Sequence, residues 1–267
     1  MYGVILGDSI GAPYEFHGIK TTKFKLFSNL THFTDDTVMT IAVCEGLLNA
    51  GLHSDRKIIE ENLTVSCQKW GRKYPDAGYG GRFRKWLKEE DPKPYNSWGN
   101  GSAMRVASIG WLYEDLGRTR EVARWSAEIT HNHPEGIKGA ESTAAAIWMA
   151  RNGRTKKEIK DYIEEKYGYD LSRTCDEIRE TYQYEVSCQK SVPESIIAFL
   201  EGKDFEDTVR LAISFAGDAD TQACIAGSIA EAYYGIPEWI MKKGRDLITP
   251  DMKEVIKKFE KFRIKKS

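Results

Sequence analysis

Apolar residues recur at three- and four-residue intervals along most of the chain, the spacing of one helix face, while runs of period two are short. Val38, Ile41, Ala42, Glu45 and Leu47 or Leu48 mark a helix that ends near "NAGL", where Gly51 supplies a left-handed cap. A second run, "SAMRVASIGWLYEDLG" from Ser102, closes at Gly117. A third, "HPEGIKGAESTAAAIWMARNG" from His133, has Pro134 in its first turn and Asn152-Gly153 as its stop. "TKKEIKDYIEEKYG" is amphipathic and reads as a surface helix, and "VPESIIAFLEG" opens on proline and stops on glycine. "DFEDTVRLAISFAG" and "DTQACIAGSIAEAYYG" follow, the latter closed by Gly235 with Pro237 just beyond. The pattern predicts an all-α chain of about ten helices. It shows no repeat, low-complexity segment or linker, so residues 1–267 read as one domain. The longest irregular stretch is expected at residues 71–101, rich in Gly, Pro and Tyr, and a loop that long in a helical protein points to function.

Composition narrows the class. Lys plus Arg total 39 against 40 for Asp plus Glu, so no overall field recruits nucleic acid or an anionic membrane. At 267 residues, 41% hydrophobic and 30% charged, the chain can bury a substantial core as an ordinary soluble protein. The locally basic "KKFEKFRIKKS" reads as the solvated face and end of a last helix. Five cysteines, scattered and without a C-x-x-C pair, argue against a disulfide framework or zinc knuckle and suit a reducing cytoplasm. "MYGVILGDSIG" lacks a basic n-region, and no 18 apolar residues run together, so neither a signal peptide nor a spanning helix is expected. Nothing marks a large apolar seam, and a monomer is expected.

The candidate chemistry lies in two acidic clusters. In "NLTHFTDDTVMTIAV", Thr34, Asp35 and Asp36 precede an apolar helical run. Taken alone, that arrangement favours capping, with carboxylates at the positive end of the helix dipole, over three oxygen ligands for a hard metal ion. In "SFAGDADTQACIAGSIAEAYYG", Asp218, Asp220 and Thr221 open a helix carrying a row of small residues, Ala223, Ala226, Gly227 and Ala230. Such a row allows close approach of a neighbouring helix, which draws the carboxylates inward, where uncompensated charge is costly. A cation shared between the two clusters removes the difficulty. An all-oxygen donor set selects Mg²⁺ or Mn²⁺ over zinc, and four carboxylates suit two ions better than one.

Other motifs are weaker alone. "SWGNGSAMRVASIGW" sets Gly99, Asn100, Gly101 and Ser102 at a helix opening, where free amides can meet a phosphate or where Ser102 is simply a cap. "YPDAGYGGRFRKW" offers Tyr79 and Gly80 to a nucleotide groove. In "THNHPEGIKGA", His131 is expected as a hydrogen-bonding residue near a ligand and His133 as structural. In "GDSIGAPYEF", Asp8 reads as a buried hydrogen-bonding residue and Glu15 as a mobile acid near the site's mouth.

Taken together and in order, "GVILGDSIGAPYEF", "FTDDTVMTIAV", "YGGRF", "GNGSAMRV", "THNHPEGIKGA" and "GDADTQACIAGSIAEAYYG" resemble the ADP-ribosylglycohydrolase family, which includes the dinitrogenase reductase-activating glycohydrolases. The resemblance implies an all-α orthogonal bundle with a binuclear Mg²⁺ or Mn²⁺ centre at one face, held by Thr34, Asp35, Asp36, Asp218, Asp220 and Thr221. It implies that ADP-ribose lies across the ions with its distal ribose at the metals and its diphosphate by residues 99–102. Glu15 matches a family glutamate on a mobile segment, and His131 a position near the substrate. The reaction expected is hydrolysis of the bond between ADP-ribose and a modified protein side chain, with Asp218 or Asp36 as base and Glu15 assisting. A small ADP-ribosyl or nucleotide substrate is the alternative, and a non-catalytic ADP-ribose binder a more distant one. Two positions depart from the family pattern: Ala216 stands where glycine is usual, and Gln222 where an apolar residue is usual, at the pocket wall.

Overall fold

The computed structural model describes residues 1–263, and every regular element in them is helical: fourteen α-helices and two 3-10 turns. Helix α1 (Tyr2–Gly11) runs into a 3-10 turn at Ala12–Tyr14. Residues 15–34 then carry no helix, a longer unbroken stretch than any between 71 and 101. That segment has no apolar period and is tied down by basic side chains. Lys20 Nζ donates to the Tyr182 and Phe215 carbonyls (2.6 and 2.7 Å), and Arg210 Nη1 to those of Thr22 and Phe24 (3.2 and 2.7 Å).

Helix α2 (Asp35–Ala50) starts on Thr34 and ends at Gly51, whose φ of 85° only glycine adopts without strain. Helices α3 (Arg56–Lys73) and α4 (Gly81–Trp86) follow, so residues 71–101 are interrupted by the end of one helix and the whole of another. The run 102–117 is not one helix. A 3-10 turn at Asn100–Ser102 gives way to non-helical residues before α5 (Ala107–Leu112), and α6 (Leu116–Glu128) begins anew on Asp115, which accepts from the Arg118 amide. Two events override the continuous apolar spacing: Arg105 turns into the interior at 1% exposure, and Asp115 restarts the helix. Gly117 therefore sits in a first turn, not at a stop.

Helices α7 (Pro134–Arg151) and α8 (Lys156–Tyr167) match the spacing, the latter stopping at left-handed Gly168. His133 is structural, its Nδ1 accepting from the Glu135 amide as the α7 cap. After α9 (Cys175–Thr181), helix α10 (Cys188–Glu201) begins five residues before Pro193 and carries it inside, so that proline does not open the helix. Helices α11 (Phe205–Ile213), α12 (Ala219–Tyr234), α13 (Glu238–Leu247) and α14 (Pro250–Phe262) complete the fold. The exposed lysines 257, 258 and 261 lie on α14 as expected, while residues 264–267 lie outside the described part.

Helix α12 lies at the centre, buried from Ala219 through Ala232 and packed by α1, α7, α10 and α11. The α1–α12 contact is backbone on backbone. A Cβ at Gly3 would fall 2.3 Å from the Gly227 carbonyl oxygen, one at Gly7 2.1 Å from that of Ala223, and one at Gly11 2.5 Å from Asp220 Cα. Glycine at every fourth position of α1 meets the small-residue row of α12, and this approach sets Asp8 beside the mouth of α12.

Candidate active site

Asp8 is fully buried, and its carboxylate accepts from the Thr34 amide (2.9 Å), the Thr34 hydroxyl (2.7 Å), and the amide and hydroxyl of Thr37 (3.0 and 2.5 Å). Helix α2 is thereby pinned to α1 by its first turn. The Asp35 amide donates to the Ala77 carbonyl at 2.7 Å, fixing the other side. Gly78, at φ 108°, passes so close that a Cβ would stand 3.2 Å from Asp35 Oδ1.

Across from them, Asp218 Oδ2 accepts from Asn100 Nδ2 at 2.7 Å and Asp220 Oδ1 from the Thr221 amide at 2.9 Å. The Thr221 hydroxyl donates to Asp36 Oδ2 at 3.1 Å, joining the two clusters over a sequence separation of 185 residues. Thr34 Oγ1 stands 3.5 Å from Asp220 Oδ2. Asp36 Oδ1 is buried with no hydrogen-bond partner among the described residues. Glu15, Asp218 and Asp220 offer carboxylate oxygens that all lie within 4.8 Å of one another.

These groups form one wall of a cavity of about 370 Å³. Glu15, Asp35, Asp36, Asp218, Asp220 and Thr221 line it, as do Gly80, Gly99, Asn100, Gly101 and His131 on the other side. Two expected contacts need correction. The Ser102 hydroxyl donates to the Gly136 carbonyl at 2.7 Å and does not line the cavity, and Tyr79 is 2% exposed and packs against Phe83 behind the wall. Thr34 is also set back, its hydroxyl committed to Asp8. The glycine loop enters a single 3-10 turn, not a helix, and two of its amides are engaged. That of Gly99 donates to Ser97 Oγ and that of Asn100 to the Val186 carbonyl. The phosphate cradle read from the sequence is therefore only partly free.

A sequence model described as ADP-ribosylglycohydrolase matches residues 1–263. The chain belongs to the ADP-ribosylglycohydrolase family. ADP-ribosylhydrolase ARH3 of Mus musculus is 27% identical over 88% of this chain and 83% of its own length. ADP-ribosylarginine hydrolase Tri1 of Pseudomonas putida is 23% identical, over 91% and 72%. A solved structure titled ADP-ribosylglycohydrolase-related protein complex superposes with a TM-score of 0.71 at 24% identity, covering 95% of this chain and 92% of that one, and so shares the fold. The chain is thus an enzyme of a glycosidase-type hydrolase family.

The electrostatics fit a metal in this family's acidic pocket. Burial first, then neighbouring carboxylates, pushes Asp35, Asp36 and Asp220 well above the usual range. Burial lifts Asp218 to about 6 although Asp220 and Asn100 bond its charged form, and burial plus the Asp220 charge lift Glu15 to about 7. Carboxylates so crowded cannot all ionise without a cation. An all-oxygen set with an orphaned Asp36 oxygen suits a hard divalent ion.

Several lining residues gave no signal in the sequence. Arg82, Tyr95, Trp98, Arg105 and Tyr184 line the cavity, and the Tyr184 hydroxyl donates to Glu15 Oε1 at 3.4 Å. Arg82 and Arg105 were visible within quoted motifs, but arginine beside glycine or methionine is ordinary; Tyr184 belongs to no motif. Gln222, expected at the pocket wall, is fully buried behind it, and neither amide atom has a partner among the described residues.

Proposed function

We propose that the protein hydrolyses the glycosidic bond between ADP-ribose and a modified protein side chain, in a cytoplasmic setting that its five free, buried cysteines suit. The whole of residues 1–267 is read as the one domain that does this. The observation that carries the reading is the pairing of the α2 and α12 mouths, five carboxylates on one wall of a cavity whose other wall is the glycine loop and His131. Asp35, Asp36, Asp218, Asp220 and Thr221 would hold two divalent ions, Mg²⁺ or Mn²⁺, joined by Thr34 through an oxygen lone pair, since only its hydroxyl hydrogen is committed to Asp8. Such ions, when bound, neutralise the carboxylates and acidify a water.

The residues divide the remaining work. Asn100 holds Asp218 in one orientation, so that this carboxylate accepts the proton of the water that adds to the anomeric carbon. Glu15, raised to about 7 and held by Tyr184, keeps a proton for the departing side-chain atom as the glycosidic bond breaks. Gly101, His131 and Asn100 position the ADP-ribose.

Asp218→Asn should lower hydrolysis by about 10²-fold or more with an unchanged far-UV circular dichroism spectrum. Full activity in that variant would sink the assignment. Linkage is decided by offering arginine-linked and serine-linked ADP-ribosyl proteins side by side with Mg²⁺, Mn²⁺ or chelator. The Pseudomonas relative's name specifies arginine, whereas the ARH3 name specifies none. Cleavage of neither linkage would favour a small ADP-ribosyl substrate.

A further inference from the structure

The cavity wall opposite the aspartates holds a buried polar chain of which only the last member, His131, has a part in the steps above. Arg105 Nη2 donates to the Ser126 carbonyl at 2.7 Å and to Thr130 Oγ1 at 2.8 Å. That same hydroxyl oxygen lies 2.7 Å from His131 Nδ1. Arg105, Thr130 and His131 are all buried, and His131 borders the cavity with Nε2 against the glycine loop. A Cβ at Gly101 would stand 3.2 Å from Nε2, and one at Gly99 3.7 Å.

The hydrogen count sets the direction of this chain. A guanidinium only donates, so Thr130 Oγ1 accepts from Arg105. Among the described residues, the acceptor within reach of the Thr130 hydroxyl hydrogen is then His131 Nδ1. The reverse, with Nδ1–H donating to Thr130, would leave a buried hydroxyl hydrogen unpaired, the costlier arrangement. The nearby guanidinium charge also disfavours a proton on Nδ1. The ring itself is neutral, since burial first and then the Arg105 and Arg82 charges hold it well below the usual imidazole value. A neutral ring that accepts at Nδ1 carries its hydrogen on Nε2.

The geometry points to Arg105 and Thr130 as positioning residues that fix His131 as the Nε2–H tautomer, a neutral hydrogen-bond donor to a ligand oxygen at the Gly99–Gly101 loop. The identity of that ligand as ADP-ribose rests on the function proposed above; the tautomer does not. A side-chain donor is useful here because the Gly99 and Asn100 amides are engaged inside the protein. The opposite tautomer would turn a lone pair towards the same ligand oxygen.

The test is long-range proton–nitrogen NMR on protein labelled with ¹⁵N-histidine, with the His131 ring assigned by its loss in His131→Gln. The wild-type ring should show a protonated Nε2 and an unprotonated Nδ1. Thr130→Val should move it towards Nδ1–H and weaken ADP-ribose binding by calorimetry about tenfold, the worth of one hydrogen bond. Thr130→Ser, which keeps the hydroxyl, should restore both. A wild-type ring protonated at Nδ1, or an unchanged tautomer in folded Thr130→Val, overturns the inference, and the wild-type spectrum alone decides if that variant fails to fold. Absence of ADP-ribose binding to wild-type protein with Nε2–H in place overturns the substrate and leaves the tautomer standing.

Discussion

Ala216, two residues before a carboxylate of the site, has φ 57°, a left-handed conformation that costs a residue with a Cβ about 1–2 kcal/mol. A glycine there would carry no such strain. Its methyl faces Gly18, where a Cβ would fall 2.6 Å from it. Ala216→Gly should therefore stabilise the protein by about 1 kcal/mol, read as a higher urea midpoint at unchanged slope. No gain would mean that the methyl's packing on the 15–34 segment offsets the strain. Residues of this kind were legible as departures from a pattern, but not as strained, because a dihedral angle is set by the chain on both sides. Arg105 and Tyr184 were illegible for a related reason: each is an ordinary residue type made functional by what it faces.

At the scale of elements, the α1–α12 contact governs the site. Gly7→Ala would drive a Cβ to 2.1 Å from a backbone carbonyl oxygen that cannot swing aside. Overpacking of this sort costs about 1–3 kcal/mol. The helices must part, and Asp8 with Thr34 moves away from Asp220. Gly7→Ala should lower both the melting temperature and the activity, and retention of full activity would show that the acidic clusters tolerate separation. Helix existence was read well from apolar spacing at α2, α7, α8, α11 and α12. The run 102–117 misled because spacing reports which face is apolar, whereas an inward Arg105 and the Asp115 cap decide where the helix breaks. Pro193 misled likewise, since a favoured first-turn residue is tolerated inside a helix whose packing outweighs one lost backbone bond.

For the whole molecule, the buried acidic wall links stability to pH and to metal. Asp218 and Glu15 rise from ordinary values of 3.8 and 4.5 to about 6 and about 7, and Asp35, Asp36 and Asp220 shift the same way. The folded state then binds more protons than the unfolded one, so this contribution is full below about pH 4 and is lost as pH rises through 6 and 7. In chelator the melting temperature should fall across that window. Added Mg²⁺ or Mn²⁺ should restore it, with a gain that grows from pH 5 to pH 7, about 2.7 kcal/mol at a hundredfold excess over the dissociation constant. A gain independent of pH over that range would show that the ions do not bind these carboxylates.

By itself the sequence determined the helical class, the starts of α2, α7, α8, α11 and α12, and the residue types able to hold a hard cation. Those properties are local: side-chain spacing, capping and donor chemistry act over a few residues. The tertiary structure decided that "FTDDT" and "GDADT" share one cavity, which hydroxyls and amides remain free there, and that Arg105 and Thr130 stand behind His131. Such facts depend on contacts between residues far apart in the chain, Thr34 with Asp220 and Glu15 with Asp220 among them, and on backbones approaching where glycine leaves room. No local preference encodes them, because the free energy that fixes them is that of packing the whole chain at once.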